Sequence, residues 1–212
     1  MLDVHAPHEK IHGFRDFLLH LLTITVGLLI ALSLEGCVEW RHHRHLVHEA
    51  EAGLHDEIIQ NSKVIGVLQQ EIKNEQKVLD ADLEVLNKER MNPAAPHEEI
   101  SLNFSLKGFQ DVTWKTAQTT GAVAYMSYDD ARTFSDIYAA QGQLYKVQEQ
   151  VVDDVINAAA LVAPHPNSWQ PTTAQIDTIM ERIGLIRMRL LLLEGFVQSL
   201  DTAYKKYESA HT

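Results

Sequence analysis

The stretch Phe17–Leu34, FLLHLLTITVGLLIALSL, decides the architecture of this 212-residue chain. Its eighteen residues carry no acidic or basic charge and are interrupted by His20, Thr23 and Thr25. About 20 apolar residues, each rising about 1.5 Å, cross roughly 30 Å of hydrocarbon, and Gly36, Cys37 and Val38 extend the run to that length. Trp40 follows at the level where an indole favours the headgroups. The expectation is a tail over residues 1–16 and one membrane span over residues 17–37.

A cleaved leader is the competing reading. Lys10 and Arg15 precede the run, and Leu34-Glu35-Gly36-Cys37 resembles a lipoprotein cleavage box. Glu35 stands where such boxes carry a small residue, and the run exceeds the roughly 7 to 15 residues of a leader's apolar region. An uncleaved span is therefore expected. Lys10 and Arg15 on one side balance Arg41 and Arg44 on the other, so positive charge does not orient it. The short tail favours an N-terminus in the cytoplasm and a large domain in the periplasm. Cys37 is the single cysteine, which rules out an intrachain disulfide.

Beyond the span, residues 38–212 hold sixteen Lys and Arg against twenty-five Asp and Glu, a balance of −9 out of −11 for the chain. Duplex binding is driven by phosphate neutralisation on a basic face, so no nucleic acid partner is expected. The length suffices for one domain with its own core.

The apolar spacing specifies what that core is. Ile176, Ile179, Ile183, Ile186, Leu190, Leu193, Val197, Leu200, Tyr204 and Tyr207 alternate steps of three and four. That is an unbroken heptad seam, and Met180, Leu185, Met188, Leu192 and Phe196 widen it toward a bundle helix with several neighbours. Phe134, Ile137, Gln141, Leu144, Gln148, Val151, Val155, Ala158 and Val162 repeat the pattern, behind a capping-box order at Ser127 and Asp130. Gln141 and Gln148 are expected where this helix is partly exposed, with register-fixing hydrogen bonds as the alternative.

The first long helix carries Ile58, Ile65, Ile72, Leu79 and Leu86 at seven-residue steps, beside a polar row that includes Asn61, Glu75 and Asp82. These five apolar residues are the expected assembly positions, packed along a narrow stripe against other chains. With no proline from Val38 to Arg90, span and helix are expected to run on as one rod of about 110 Å. After Pro93 and Pro96, Ile100, Leu102, Phe104 and Leu106 alternate with polar residues, which predicts a strand over 100–106. It would join a hairpin, lie extended on the bundle, or pair with another chain. A short helix over Asp111–Ala124 follows. The fold class is all-α: an N-terminal span, long helices over about 38–90, 128–163 and 173–209 in a coiled-coil-like antiparallel bundle, and one strand-like segment.

The chemistry-bearing residues are mainly histidines. His8-Glu9-Lys10-Ile11-His12 matches H-E-x-x-H, in which two histidines ligate zinc and the glutamate acts as general base. No third ligand accompanies it, so a zinc hydrolase ranks third among the functional readings. His45 and His48 belong to a group after the span with His42, His43 and His55. The expectation there is a solvated helix face, against a metal site, a pH response or contact with anionic headgroups. His20 is a candidate contact to a neighbouring span or a cofactor, against simple placement at the interface. No nucleophile elbow, phosphate-binding glycine loop or Cys-x-x-Cys pair occurs in the sequence.

Val26-Gly27-Leu28-Leu29-Ile30-Ala31-Leu32, Glu35, Val38-Glu39-Trp40 and Arg41-His42-His43-Arg44-His45 resemble a family of uncharacterised bacterial single-span membrane proteins with helical extramembrane parts. The resemblance covers about residues 14–60 and implies a bacterial inner-membrane location, with no activity to carry over. The functional expectation is a non-enzymatic structural or accessory subunit without a cofactor. Its partners would be membrane lipid and either its own copies or other subunits of a membrane complex. A helical sensor of pH, metal or small ligand is the alternative.

Overall fold

The computed structural model describes residues 13–92, 100–102, 104–162 and 170–211. They form α1 (Phe14–Met91), α2 (Val112–Thr119), a 3-10 turn (Ala122–Tyr125), α3 (Tyr128–Val162) and α4 (Thr173–His211). The chain divides into two compact units, Met1–His48 and Glu49–Thr212.

In the first unit, α1 presents its apolar residues outward, with Leu22, Leu28 and Ile30 each more than half exposed. None of its apolar window is buried, as a soluble core helix would be, so α1 carries a candidate membrane span. Its polar side chains close on the helix itself. The hydroxyls of Thr23, Thr25 and Ser33 donate to the carbonyls of Leu19, Leu21 and Leu29 at 2.7 to 2.8 Å. Such i−4 bonding satisfies hydroxyls where water is absent. At the far end Arg44 lies 4.8 Å over the Trp40 ring, a cation–π pair.

In the second unit the heptad seams meet. All ten apolar seam residues from Ile176 to Tyr207 are buried on α4. Phe134, Ile137, Leu144, Val151, Val155 and Ala158 face them from α3. Leu54, Ile58, Ile65, Leu68, Ile72, Leu79 and Leu86 complete the core from α1. Ion pairs fix the directions: Arg90 with Asp177 at 2.8 Å and Asp80 with Arg187 at 2.9 Å make α4 antiparallel to α1. Arg189 reaches Asp154 of α3 at 2.6 Å.

Helix ends follow their capping residues. The Asp130 amide donates to Ser127 Oγ at 3.1 Å and the Ser127 hydroxyl returns to Asp130, which opens α3. Thr172 and Gln175 make the same reciprocal pair before α4. The helix expected over Asp111–Ala124 is instead two pieces. Gly121, at φ +78°, takes the left-handed conformation that closes α2 and starts the 3-10 turn.

The predicted strand is a correction. Among the described residues of 100–106 there is no strand and no hairpin; Ser101 and Ser105 bond to Asp82 and Glu75, which lays this part of the chain along the bundle. Ile100 and Phe109 are buried, and Leu102, Phe104 and Leu106 half-buried, so the alternation is real although no backbone pairs with it. The geometry explains why an extended segment serves here. From Asp82 back to Asn61, α1 falls by roughly 31 Å at about 1.5 Å per residue. Ser101 to Gln110, which bond to those two residues, reach about 30 Å at about 3.3 Å per residue. One extended leg thus returns the chain so that α3 can run parallel to α1.

Candidate functional site

The densest polar arrangement in the bundle is a ladder of side chains that takes the place of the missing strand partner. An extended backbone without a neighbour strand has unpaired N–H and C=O groups, and each must find a partner when it is covered. From α1, Asp82 accepts the Ser101 amide at 3.0 Å and Glu71 accepts that of Lys107 at 2.8 Å. Glu75 accepts the Ser105 amide between them. Asn61 holds both groups of Gln110, accepting its N–H at 2.8 Å and donating to its carbonyl at 2.7 Å. Glu57 accepts the Thr113 amide at 2.8 Å at the start of α2.

From α3, the Gln148 side chain donates to the Lys107 carbonyl at 3.1 Å, and Gln141 donates to that of Gln110, also at 3.1 Å. The Tyr145 hydroxyl donates to the Phe109 carbonyl. Gln141 is 1% exposed and Gln148 8%. The expectation of partial exposure at these two seam positions is therefore wrong: they are buried hydrogen-bonding residues. The residues that interrupt both seams are the ones that read the backbone of 101–113.

At the end of the ladder, Glu57 is buried and bridges two elements. Its second oxygen accepts the Tyr138 hydroxyl at 2.6 Å, and the Trp114 ring stacks on Tyr138 with 2° between the planes. Burial, reinforced by the bond to Glu57, pushes the Tyr138 hydroxyl far above its ordinary range, so it stays protonated and donating. Gly53 makes room for this corner, since a Cβ there would stand 2.9 Å from the Thr113 methyl.

Burial raises the carboxyls of both Glu75 and Asp82, against a lowering by the Ser105 and Ser101 amides; Glu71 raises Glu75 further. A carboxyl whose folded value lies above its unfolded value stabilises the fold fully below the unfolded value. That contribution is lost as pH climbs through the raised folded value. The expected result is that these two groups raise the melting temperature as pH falls toward the ordinary carboxyl range. The double variant E75Q/D82N should have a flatter profile by circular dichroism.

Two open grooves lie on the bundle surface. One of about 350 Å³ lies against α3 between Leu106, Gly108, Tyr145 and Val152. The other, about 270 Å³, is lined by Asp136, Lys206, Tyr207 and His211. His211 stacks on Tyr207 with ring centroids 4.2 Å apart, and His55 stands 5.8 Å from Tyr207.

The other candidate residues fall elsewhere. His8 and His12 lie outside the described residues. His20, His45 and His48 are exposed on α1. Among the described residues no group of three or more His, Cys, Asp or Glu side chains is placed to hold a metal ion. Ile58, Ile65, Ile72, Leu79 and Leu86 are at most 4% exposed. They pack in the core of their own chain and present no surface to a second one. Sequence reasoning found the polar row of α1 but not its role, and missed Glu57, Glu71 and Tyr145. The strand-like alternation opposite a helix with carboxylate and amide positions was the available signal. Comparison of the chain with family models, curated proteins and solved structures found no match in any of the three.

Proposed function

We propose that this protein is a single-pass, membrane-anchored structural or accessory subunit of the bacterial inner membrane. Its helical bundle stands in the periplasm and assembles through helix packing with its own copies or with other subunits of a membrane complex. The observation that carries this reading is the use of the bundle's polar interior. Asn61, Glu71, Asp82, Gln141 and Gln148 bind the backbone of their own chain. What the bundle offers outward includes apolar helix surface, notably Met188, Leu191 and Leu192, each more than half exposed. Surface of that kind is suited to a protein partner. The resemblance of residues 14–60 and the unburied apolar window of α1 support the membrane placement.

The groove beside Tyr207 and His211 favours the second reading, a sensor or ligand-binding module. One measurement separates the two. Native mass spectrometry of protein extracted gently from its own membranes should give either a whole-number multiple of the 24.0 kDa chain or an assembly with other subunits. A single chain carrying a small-molecule adduct would overturn the structural reading in favour of the sensor.

A further inference from the structure

On α4, the side opposite the core carries a second seam. Leu185, Met188, Leu192, Gly195 and Ser199 alternate steps of three and four, the spacing at which helices interlock. Leu185, Met188, Leu191 and Leu192 are between 39% and 63% exposed. Gly184 and Gly195 bracket them, with open space where a Cβ would stand at either. Each glycine inside a helix costs about 1 kcal/mol relative to alanine. Neither has a positive φ or a close neighbour in its own chain that requires it. Glycines bracketing an outward apolar face let another helix backbone approach closely.

Charge leaves the middle of this face clear. Arg187 is drawn to one side by Asp80 at 2.9 Å and Arg189 to the other by Asp154 at 2.6 Å. The face is also short, about 16 Å from Gly184 to Gly195 at about 1.5 Å per residue. An area of that size falls below the roughly 800 Å² per partner of a standard soluble complex. It suffices only when the partner is already held close by.

A second copy of this chain meets that condition, because the same candidate span would hold it in the same membrane. A pairing about a twofold axis sets the apolar centre of this face against its own counterpart and meets no charge there. The spans of two copies can approach closely as well. Thr23, Gly27 and Ala31 recur every four residues, a small-residue spacing that lets parallel spans approach, and Gly27 has open space at its Cβ position. We infer that the outward face of α4 around Met188 is the docking surface for a second copy of this chain. This rests on the reading of the protein as a membrane-anchored assembly subunit.

The test uses the full chain in native membrane vesicles, with Cys37 replaced by Ser and one cysteine introduced by Met188→Cys, Leu192→Cys or, as a control on an exposed part of α1, Lys73→Cys. Under a mild oxidant the first two should give a band of about 48 kDa, twice the 24.0 kDa chain, and the control should not. In parallel, M188E/L192E should keep the helical signal and melting temperature of the parent while its dimer is lost in native mass spectrometry. A dimer that survives M188E/L192E, or a crosslink at Lys73 alone, overturns this face but leaves self-assembly standing. A Met188→Cys crosslink to a different protein overturns the second copy as occupant and leaves an accessory subunit. A parent protein that is monomeric throughout overturns both.

Discussion

Replacing Ile72 by Asp is expected to unfold the bundle of residues 49–212, with the melting transition lost or lowered by tens of degrees while the apolar helix still partitions into membranes. Ile72 is fully buried, among the core rows contributed by three helices. Removing it forfeits about 2 to 3 kcal/mol of apolar burial. A carboxylate moved from water into the same place adds several kcal/mol more, because its desolvation must be made good by partners that an apolar core row does not provide. The total approaches the roughly 5 to 15 kcal/mol that holds a typical domain together. Circular dichroism against temperature, beside carbonate-resistant membrane fractionation, measures the two halves of the expectation. If I72D melted like the parent and lost only its assembly, Ile72 would have to face a second molecule, and the intramolecular core described above would be wrong. The contrast with an outward position on α4, where a charge should leave melting untouched, makes the distinction sharp.

The second large effect is expected at Asn61. Asn61→Ala removes the acceptor at 2.8 Å and the donor at 2.7 Å that together hold the Gln110 peptide. Leaving a covered amide without a partner costs about 1 to 3 kcal/mol. The loss should be local. Hydrogen exchange should quicken for the amides of 101–113 and trypsin should cut at Lys107, while the α3 and α4 amides keep their protection. Gln141 shares the Gln110 carbonyl at 3.1 Å. The double variant N61A/Q141A should therefore depart from the sum of the two single variants by about 0.5 to 3 kcal/mol. Additive effects, or an exchange increase spread evenly over the bundle, would mean that the clamp on Gln110 is not what seats the segment.

Both expectations depend on where a residue type sits relative to chain it is far from in sequence, and this divides what was legible from what was not. The ten-residue α4 seam was legible, since apolar side chains at three- and four-residue steps leave a helix one way to bury them, but the widening of that stripe by Leu185, Met188 and Leu192 was not, because all three are exposed. The α1 row was equally legible as a buried stripe, but not its partner. Ile65 and Ile72 would look the same facing another chain or facing α4. Polar residues in a seam defeated the reading altogether. Periodicity weighs only hydrophobicity, so Gln141 registered as exposure, although it is buried against a carbonyl 31 residues away.

By itself, then, the sequence determined the predominantly helical character of the chain, the apolar run that makes a candidate span, and the apolar stripe of each long helix, because each follows from local spacing and the transfer of apolar surface out of water. Only the tertiary structure decided that the alternating segment is no strand, that carboxylates and amides of α1 and α3 stand in for its missing neighbour, and that the Ile58–Leu86 row closes within one chain. The physical reason is range. Apolar burial is non-directional and is written into every turn of a helix, whereas a hydrogen bond needs one donor and one acceptor at about 2.9 Å, and for Asn61 and Gln110 they come from positions 49 residues apart.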